Sequence, residues 1–257
     1  MAIAALWKGA ELIVESSAHI TSKLGVSQLV VGLTIVSFGT SAPEFAVTLI
    51  AALDGQPNIS VGNVVGSNIF NLGFILGGVA IVRGIRTTRM LVYRDGIVLF
   101  CVTLLLLWFV GDLDFQRWEG ITMMALLASY ITFLIMKKDT ALVEDVPDGE
   151  FSGADVLKLL GGLALVLLGG HFFVDSAVDV ARDVFKMNEW AIGVTIIAAG
   201  TSAPELATSL VAAVRGRYGL SAGNLIGSDL FNLLGVLGLA GAITPMQVNA
   251  EAQGSLL

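Results

Sequence analysis

Residues 32–77 align without a gap onto residues 193–238, and 24 of the 46 aligned positions are identical. Within the match the hexapeptide GTSAPE stands at 39–44 and again, unchanged, at 200–205. Both copies lie in long apolar runs, where a carboxylate is costly and by default marks a function. A chain built this way must fold as two related halves that carry polar groups into an apolar interior.

That interior is bounded by lipid. The chain is 55% hydrophobic and only 14% charged, with a mean hydropathy of +0.84, whereas soluble domains carry about 25% charged residues. Membrane helices need about 20 predominantly apolar residues. Such runs are predicted near 27–53, 59–82, 90–110, 118–136, 155–180, 190–214 and 220–243. A weaker one at 2–20 is interrupted by Lys8, Glu11 and Glu15. The expected fold is an all-α polytopic membrane protein with about eight visible spans. The segment KKDTALVEDVPDGEF at 137–151 divides it into a first repeat (1–136), a linker (137–154) and a second repeat (155–257). The single cysteine, Cys101, permits no intrachain disulfide. Fourteen basic residues without a cluster exclude nucleic acid as a partner.

Basic residues set orientation. Lys23, Arg83, Arg86, Arg89, Arg94, Lys137, Lys138, Lys158, Arg215 and Arg217 fall on one set of alternate connections. Only Lys8, Arg117, Arg182 and Lys186 fall on the other. This bias predicts a cytoplasmic 137–151 linker, an N-terminus outside and residence in the plasma membrane. The GTSAPE helices are the second and seventh spans, so the two copies cross the membrane in opposite directions. Inverted repeats of this kind are typical of secondary transporters, whose site lies at the midplane between the halves.

Each copy carries a second polar patch, GNVVGSNIFN at 62–71 and GNLIGSDLFN at 223–232. From Glu44 the helix continues to Leu53, turns through DGQPN and returns from Ile59 towards Ser67. Nine or so residues on each side rise roughly 13 Å, about half the hydrocarbon thickness. Both patches therefore reach mid-membrane depth. Thr40 and Ser41 share a helical face with Glu44, and Ser67 shares one with Asn71. Pro43 and Pro204 have no N–H and should kink their helices, releasing carbonyls near Ser37 to Gly39 and around Ala198. Hydroxyls, amide oxygens, carbonyls and carboxylates are hard donors, suited to Ca²⁺ or a Group 1 ion rather than soft metals.

Glu44 and Glu205 are the centre of this set, since two carboxylates can neutralise one divalent cation. The plainer reading, a protonated Glu bonding a neighbouring helix, would have to hold twice. Gly62, Gly66, Gly223 and Gly227 are read as helix-packing positions, with Ser67, Asn71, Ser228 and Asn232 facing the ions. Glu15 and Asp175 are repeat mates better suited to solvated helix ends than to gating, and His171 falls with them. Asp54, Asp112 and Asp114 read as loop residues. Asp229 is expected on a different side from Asn232, either adding charge near the site or making a surface contact.

On these residues the chain resembles the sodium/calcium exchangers of the cation/calcium antiporter superfamily, in a prokaryotic form. The doubled GTSAPE with GSNIFN and GSDLFN carries the resemblance, which covers most of the chain. It implies ten spans in two inverted five-helix repeats, and exchange of about three Na⁺ for one Ca²⁺ by alternating access, with helices 1 and 6 moving. It implies Glu44 and Glu205 as shared ligands, with Thr40, Ser41, Thr201 and Ser202 supplying oxygens. Asn71 and Asn232 would complete the centre, flanked by Ser67 with the Ser37 carbonyl and Ser228 with the Ala198 carbonyl. Some relatives carry Asp where Asn232 stands; two acids at the centre argue against K⁺ dependence. The motif of the proton-coupled branch, with GNxxE, is absent from these positions, yet H⁺-driven Ca²⁺ exchange and a cation channel remain the alternatives. The spans hold no metal-binding His pair or nucleophile–base pair, so an enzyme is not expected, nor any cofactor beyond the transported Ca²⁺ and Na⁺. By the same resemblance, two further spans would be expected after Pro245.

Overall fold

The computed structural model describes residues 1–83, 87–137, 151–186 and 198–248. They form a helical array. Helix α1 (Ala2–Leu24) stops at Gly25, whose φ of 65° lies in the left-handed region that glycine enters without penalty. After Ser27 caps the next N-terminus through Val30 N–H, α2 (Gln28–Thr40) runs to the first GTSAPE, bent from α1 by 117°. Then come α3 (Ala42–Leu53), α4 (Pro57–Arg83), α5 (Leu91–Asp112) and α6 (Arg117–Lys137). The second half supplies α7 (Gly153–Asp183), a short α8 (Ala198–Thr201), α9 (Ala203–Val214) and α10 (Tyr218–Ile243). A two-residue antiparallel ladder, β1 (Asp114–Phe115) with β2 (Met246–Gln247), is the one departure from all-α architecture among the described residues.

Five of these helices, α4, α5, α6, α7 and α10, are long and apolar enough to cross a membrane, and α1 with α2 makes a sixth if counted as one bent span. The expected run at 27–53 is instead broken between α2 and α3. The one expected at 190–214 lies partly outside the described residues. The N-terminal run is a continuous helix despite its three charges. Lys8 pairs with Glu11 at 3.1 Å, and Glu11 and Glu15 both hold Arg215, at 2.7 and 2.6 Å.

Glycines decide how the helices meet. A Cβ on Gly9 of α1 would stand 2.7 Å from the Gly162 carbonyl of α7, and one on Gly162 would stand 2.8 Å from the Gly9 carbonyl. The two backbones touch, as small residues permit in lipid. In the same way Gly32 of α2 meets Leu220 of α10, and Gly223 and Gly227 of α10 meet Leu29 and Leu33. Those two glycines do pack as expected. Gly62 and Gly66 do not: no described atom lies within 4 Å of a Cβ at either. The segment related by the repeat to Gly32–Val36, residues 193–197, lies outside the described residues.

These contacts make α10 the central helix. Its qualifying span is 72% buried inside the protein, against 28–33% for the other four. The outer helices instead expose large apolar residues such as Phe100, Trp108, Phe133, Leu157 and Phe172, a surface suited to lipid. The helix that carries GSDLFN thus sits at the heart of the bundle, facing both GTSAPE segments.

Candidate cation-binding site

The two GTSAPE segments fold alike. In each the helix ends at the serine and restarts at the following alanine: Ser41 has φ −78° and ψ 13°, Ser202 has φ −86° and ψ 10°. Pro43 and Pro204 then occupy the first helical turn, where a missing N–H costs nothing. Glu44 and Glu205 fall in that same first turn, next to the positive end of the helix dipole. The kink expected from proline is therefore a restart one residue before it. The Ser37 carbonyl is not released, since it accepts from Ser41 N–H at 3.0 Å and from the Thr40 hydroxyl at 3.4 Å. The carbonyl that lacks its helical donor is that of Gly39, four residues before Pro43.

Glu44 and Glu205 are both 0% exposed and are cross-wired between the repeats. The Ser202 hydroxyl donates to Glu44 Oε1 at 3.0 Å, and the Ser41 hydroxyl donates to Glu205 Oε1 at 3.0 Å. Ser228 adds a longer bond to Glu205 Oε1 at 3.4 Å. Thr201 also approaches Glu44, and Thr40 approaches Glu205. The second oxygen of each carboxylate has no hydrogen-bond partner among the described residues. Two buried acids with free oxygens and like charge repel each other and lack water, and a shared cation would relieve both penalties.

The GSNIFN and GSDLFN segments close the cluster through the same symmetry. Both run into a π-helical stretch, Phe70–Leu76 in α4 and Phe231–Leu237 in α10, of the kind often found at functional sites. Asn71 Nδ2 donates to Asp229 Oδ1 at 3.0 Å, and Asn232 Nδ2 donates to Asn68 Oδ1 at 3.3 Å. The amide oxygens of Asn71 and Asn232 and the Ser67 hydroxyl are buried and unpartnered among the described residues. Thus Ser41, Ser202, Ser228, Thr40 and Thr201 gather around the Glu44 and Glu205 carboxylates, and Asn71 and Asn232 are linked to one another through Asp229 and Asn68. Ser67 is buried in α4, and Ala198 opens α8.

Two features go beyond the sequence reading. Asp229 makes no surface contact: it is 0% exposed, and its backbone carbonyl accepts from Asn68, its own repeat mate, at 3.1 Å. Of the two readings left open for Asp229, its burial favours added charge near the site over a surface contact. Among the described residues, though, no three His, Cys, Asp or Glu side chains gather closely enough to hold one metal. Secondly, Asn63 and Asn224, the second residue of each GN-containing motif, hold hydrogen bonds that the motif spacing does not reveal. Asn63 Nδ2 bonds the Thr48 hydroxyl at 2.9 Å and the Glu44 carbonyl at 3.2 Å. Asn224 Nδ2 bonds the Ser209 hydroxyl at 3.0 Å, and its Oδ1 accepts from Thr40 at 3.2 Å. Each Asn ties its helix to the GTSAPE helix of its own half. The lesser candidates lie outside the cluster, though Glu15, His171 and Asp175 fall within α1 and α7 rather than at helix ends. His171 and Asp175 form an exposed 3.5 Å pair, and Glu15 is taken up by Arg215. Asp112, the last residue of α5, accepts from Asp114 N–H at the start of β1, while Asp54 caps the end of α3.

Known proteins resemble the chain over nearly its whole length. A family model described as sodium/calcium exchanger protein matches residues 1–136 and 155–256. The putative antiporter CaxA of Alkalimonas amylolytica is 36% identical over 261 residues, covering 97% of this chain and 80% of that protein. The sodium/calcium exchanger MaX1 of Methanosarcina acetivorans is 29% identical, covering 95% of this chain and 81% of that one. A solved structure of the sodium-calcium exchanger NCX_Mj, soaked with zero Na⁺ and Ca²⁺, superposes with a TM-score of 0.85 at 30% identity. It covers 99% of this chain and 84% of that one.

Proposed function

Because the chain belongs to the sodium/calcium exchanger family, a family of membrane antiporters, we propose that it exchanges Na⁺ for Ca²⁺ by alternating access. The observation that carries this reading is the crossed pair, Ser202 on Glu44 and Ser41 on Glu205. Each half supplies a carboxylate and the hydroxyl that orients the other's. In this reading Glu44 and Glu205 share one Ca²⁺, and their free Oε2 atoms face it. Thr40, Ser41, Thr201 and Ser202 complete the shell by hydroxyl or main-chain oxygen. Asn71 and Asn232 close the centre, while Ser67 on one side and Ser228 with the Ala198 carbonyl on the other flank it for Na⁺.

Two carboxylates balance a Ca²⁺. About three Na⁺ would leave a charge of +1 on the same pair, and exchange at that ratio moves one net charge per cycle, worth about 2.3 kcal/mol per 100 mV. The halves 1–136 and 155–257 act as the two inverted repeats, joined through a cytoplasmic linker, in the plasma membrane with the N-terminus outside. The basic-residue bias supports that orientation.

Uptake of ⁴⁵Ca²⁺ into Na⁺-loaded proteoliposomes tests the proposal, with Glu44→Gln and Glu205→Gln alongside. Uptake that needs internal Na⁺ and disappears in both variants supports antiport through this site. Uptake indifferent to Na⁺ and driven by a pH gradient makes it a proton-coupled exchanger. Flux without any trans ion makes it a channel, and transport by both variants removes the site from the mechanism.

A further inference from the structure

Asp229 is a buried carboxylate that the exchange scheme leaves without a task. It lies in α10, the most enclosed span, and Glu205 is near enough for the two like charges to repel. Its Oδ1 accepts from Asn71, while Oδ2 has no hydrogen-bond partner among the described residues. The Asn71 amide that donates to it carries a buried, unpartnered oxygen on its other arm, and Asn232 presents a second such oxygen. These are three buried acceptor atoms without a donor among the described residues, on side chains linked in one run of hydrogen bonds, Asn71 to Asp229 and Asn232 through Asn68 to the Asp229 carbonyl. A missing donor and an uncompensated charge are both costly in this setting.

The chemistry of the set selects its ligand. All three atoms are hard oxygens, which excludes soft metals. One carboxylate with two neutral amides balances one positive charge, whereas a divalent ion would leave a buried charge of +1. The set also stands apart from the Glu44–Glu205 pair, since no three acids converge on one point.

We propose that Asp229, with the Asn71 and Asn232 amide oxygens, binds a monovalent cation beside the Glu44–Glu205 cage, and that this cation is one of the exchanged Na⁺ ions. The inference rests on the antiporter reading and refines its charge balance. With Asp229 included, three Na⁺ meet three carboxylates and leave no net charge, where the two-acid count left +1. The Na⁺-loaded protein is then neutral within the membrane, and the Ca²⁺-loaded protein carries the charge.

The repeat supplies the test. Asp229→Asn keeps the acceptor for Asn71 and matches the residue at the mate position, Asn68, so it removes charge with little change of shape. Na⁺ activation of ⁴⁵Ca²⁺ transport is measured in proteoliposomes of the whole chain. The half-maximal Na⁺ concentration is expected to rise at least tenfold, and the Hill coefficient for Na⁺ to fall by about one. The swap Asn68→Asp with Asp229→Asn returns the carboxylate to the other half, where Asn232 stands to residue 68 as Asn71 stands to 229. It should bring the Na⁺ requirement back to within threefold of the unaltered protein. Unchanged Na⁺ activation in Asp229→Asn overturns the proposal, because a purely structural Asp229 is replaced by Asn without cost. If Asp229→Asn does not elute as folded protein, the swap decides alone: near-normal Na⁺ activation supports the subsite, and its loss in folded protein overturns it. Absence of Na⁺-driven uptake in the unaltered protein is a different result, and it overturns the antiporter reading instead.

Discussion

The Ser202 hydroxyl reaches across the repeat boundary to Glu44 Oε1 at 3.0 Å, binding a residue 158 positions earlier in the chain. The repeat offset of 161 turns Ser41 into Ser202 and Glu44 into Glu205, so the mirror bond from Ser41 to Glu205 is the same interaction with the halves exchanged. Substitutions at either copy therefore have an internal control at the other.

Ser41→Ala and Ser202→Ala should weaken Ca²⁺ transport in the same direction and by similar amounts. Each removes a hydrogen bond to an ionised group, an interaction worth about 1.5–3 kcal/mol. The apparent Ca²⁺ affinity is expected to fall about tenfold or more in each, read from the Ca²⁺ concentration giving half-maximal uptake. A loss confined to one of the two would show that the crossed bonds do not share a task.

Glu44→Gln and Glu205→Gln should fold as well as the parent or better. Gln keeps an acceptor for the opposing serine and removes a buried charge that is costly when unpaired. In ion-free detergent the melting temperature should hold or rise. The stabilisation by added Ca²⁺, about 2.7 kcal/mol at a hundredfold excess over Kd, should disappear. Melting followed by tryptophan fluorescence with and without Ca²⁺ reads both effects, and Ca²⁺ stabilisation surviving in either variant counts against the cage.

Gly161 and Gly162 are neighbours in α7 with opposite surroundings. A Cβ at 162 would stand 2.8 Å from the Gly9 carbonyl, whereas one at 161 meets nothing described within 4 Å. Gly162→Ala should cost about 1–3 kcal/mol by forcing two backbones apart. Gly161→Ala should gain up to about 1 kcal/mol, as alanine does inside a helix. Thermal unfolding of the pair in detergent gives the sign of each, and equal effects would dismiss the α1–α7 contact.

Asn224→Ala should destabilise the second half by about 1–3 kcal/mol, because Thr40 and Ser209 both lose a buried partner. Asn63→Ala should act on the Glu44 carbonyl and Thr48. Both variants should lower transport without a change in Na⁺ dependence, measured in the same vesicle assay.

The repeat and the approach of Glu44 to Glu205 were legible in the sequence because they follow from spacing and helix rise. The position of Asp229 was not. A spacing of three residues keeps Asp229 near the Asn232 face of a helix, but spacing alone does not say whether that face is buried. Its partner, Asn71, arrives from the other half, which no local pattern reveals. Proline correctly signalled a break at 41 and 202 but not its form. Proline is harmless in the first turn of a new helix, so the chain restarts before it and the Ser37 carbonyl keeps its donor. The difference between Gly66 and Gly227 was also hidden, since identical glycines differ only in what lies opposite.

The crossed serines bear on how the halves can part. A rigid displacement of one GTSAPE helix against the other stretches both 3.0 Å bonds together, because each helix is donor in one and acceptor in the other. The contact behaves like a double-pole switch: parting the two segments breaks both serine bonds at once and leaves Glu205 the longer bond from Ser228.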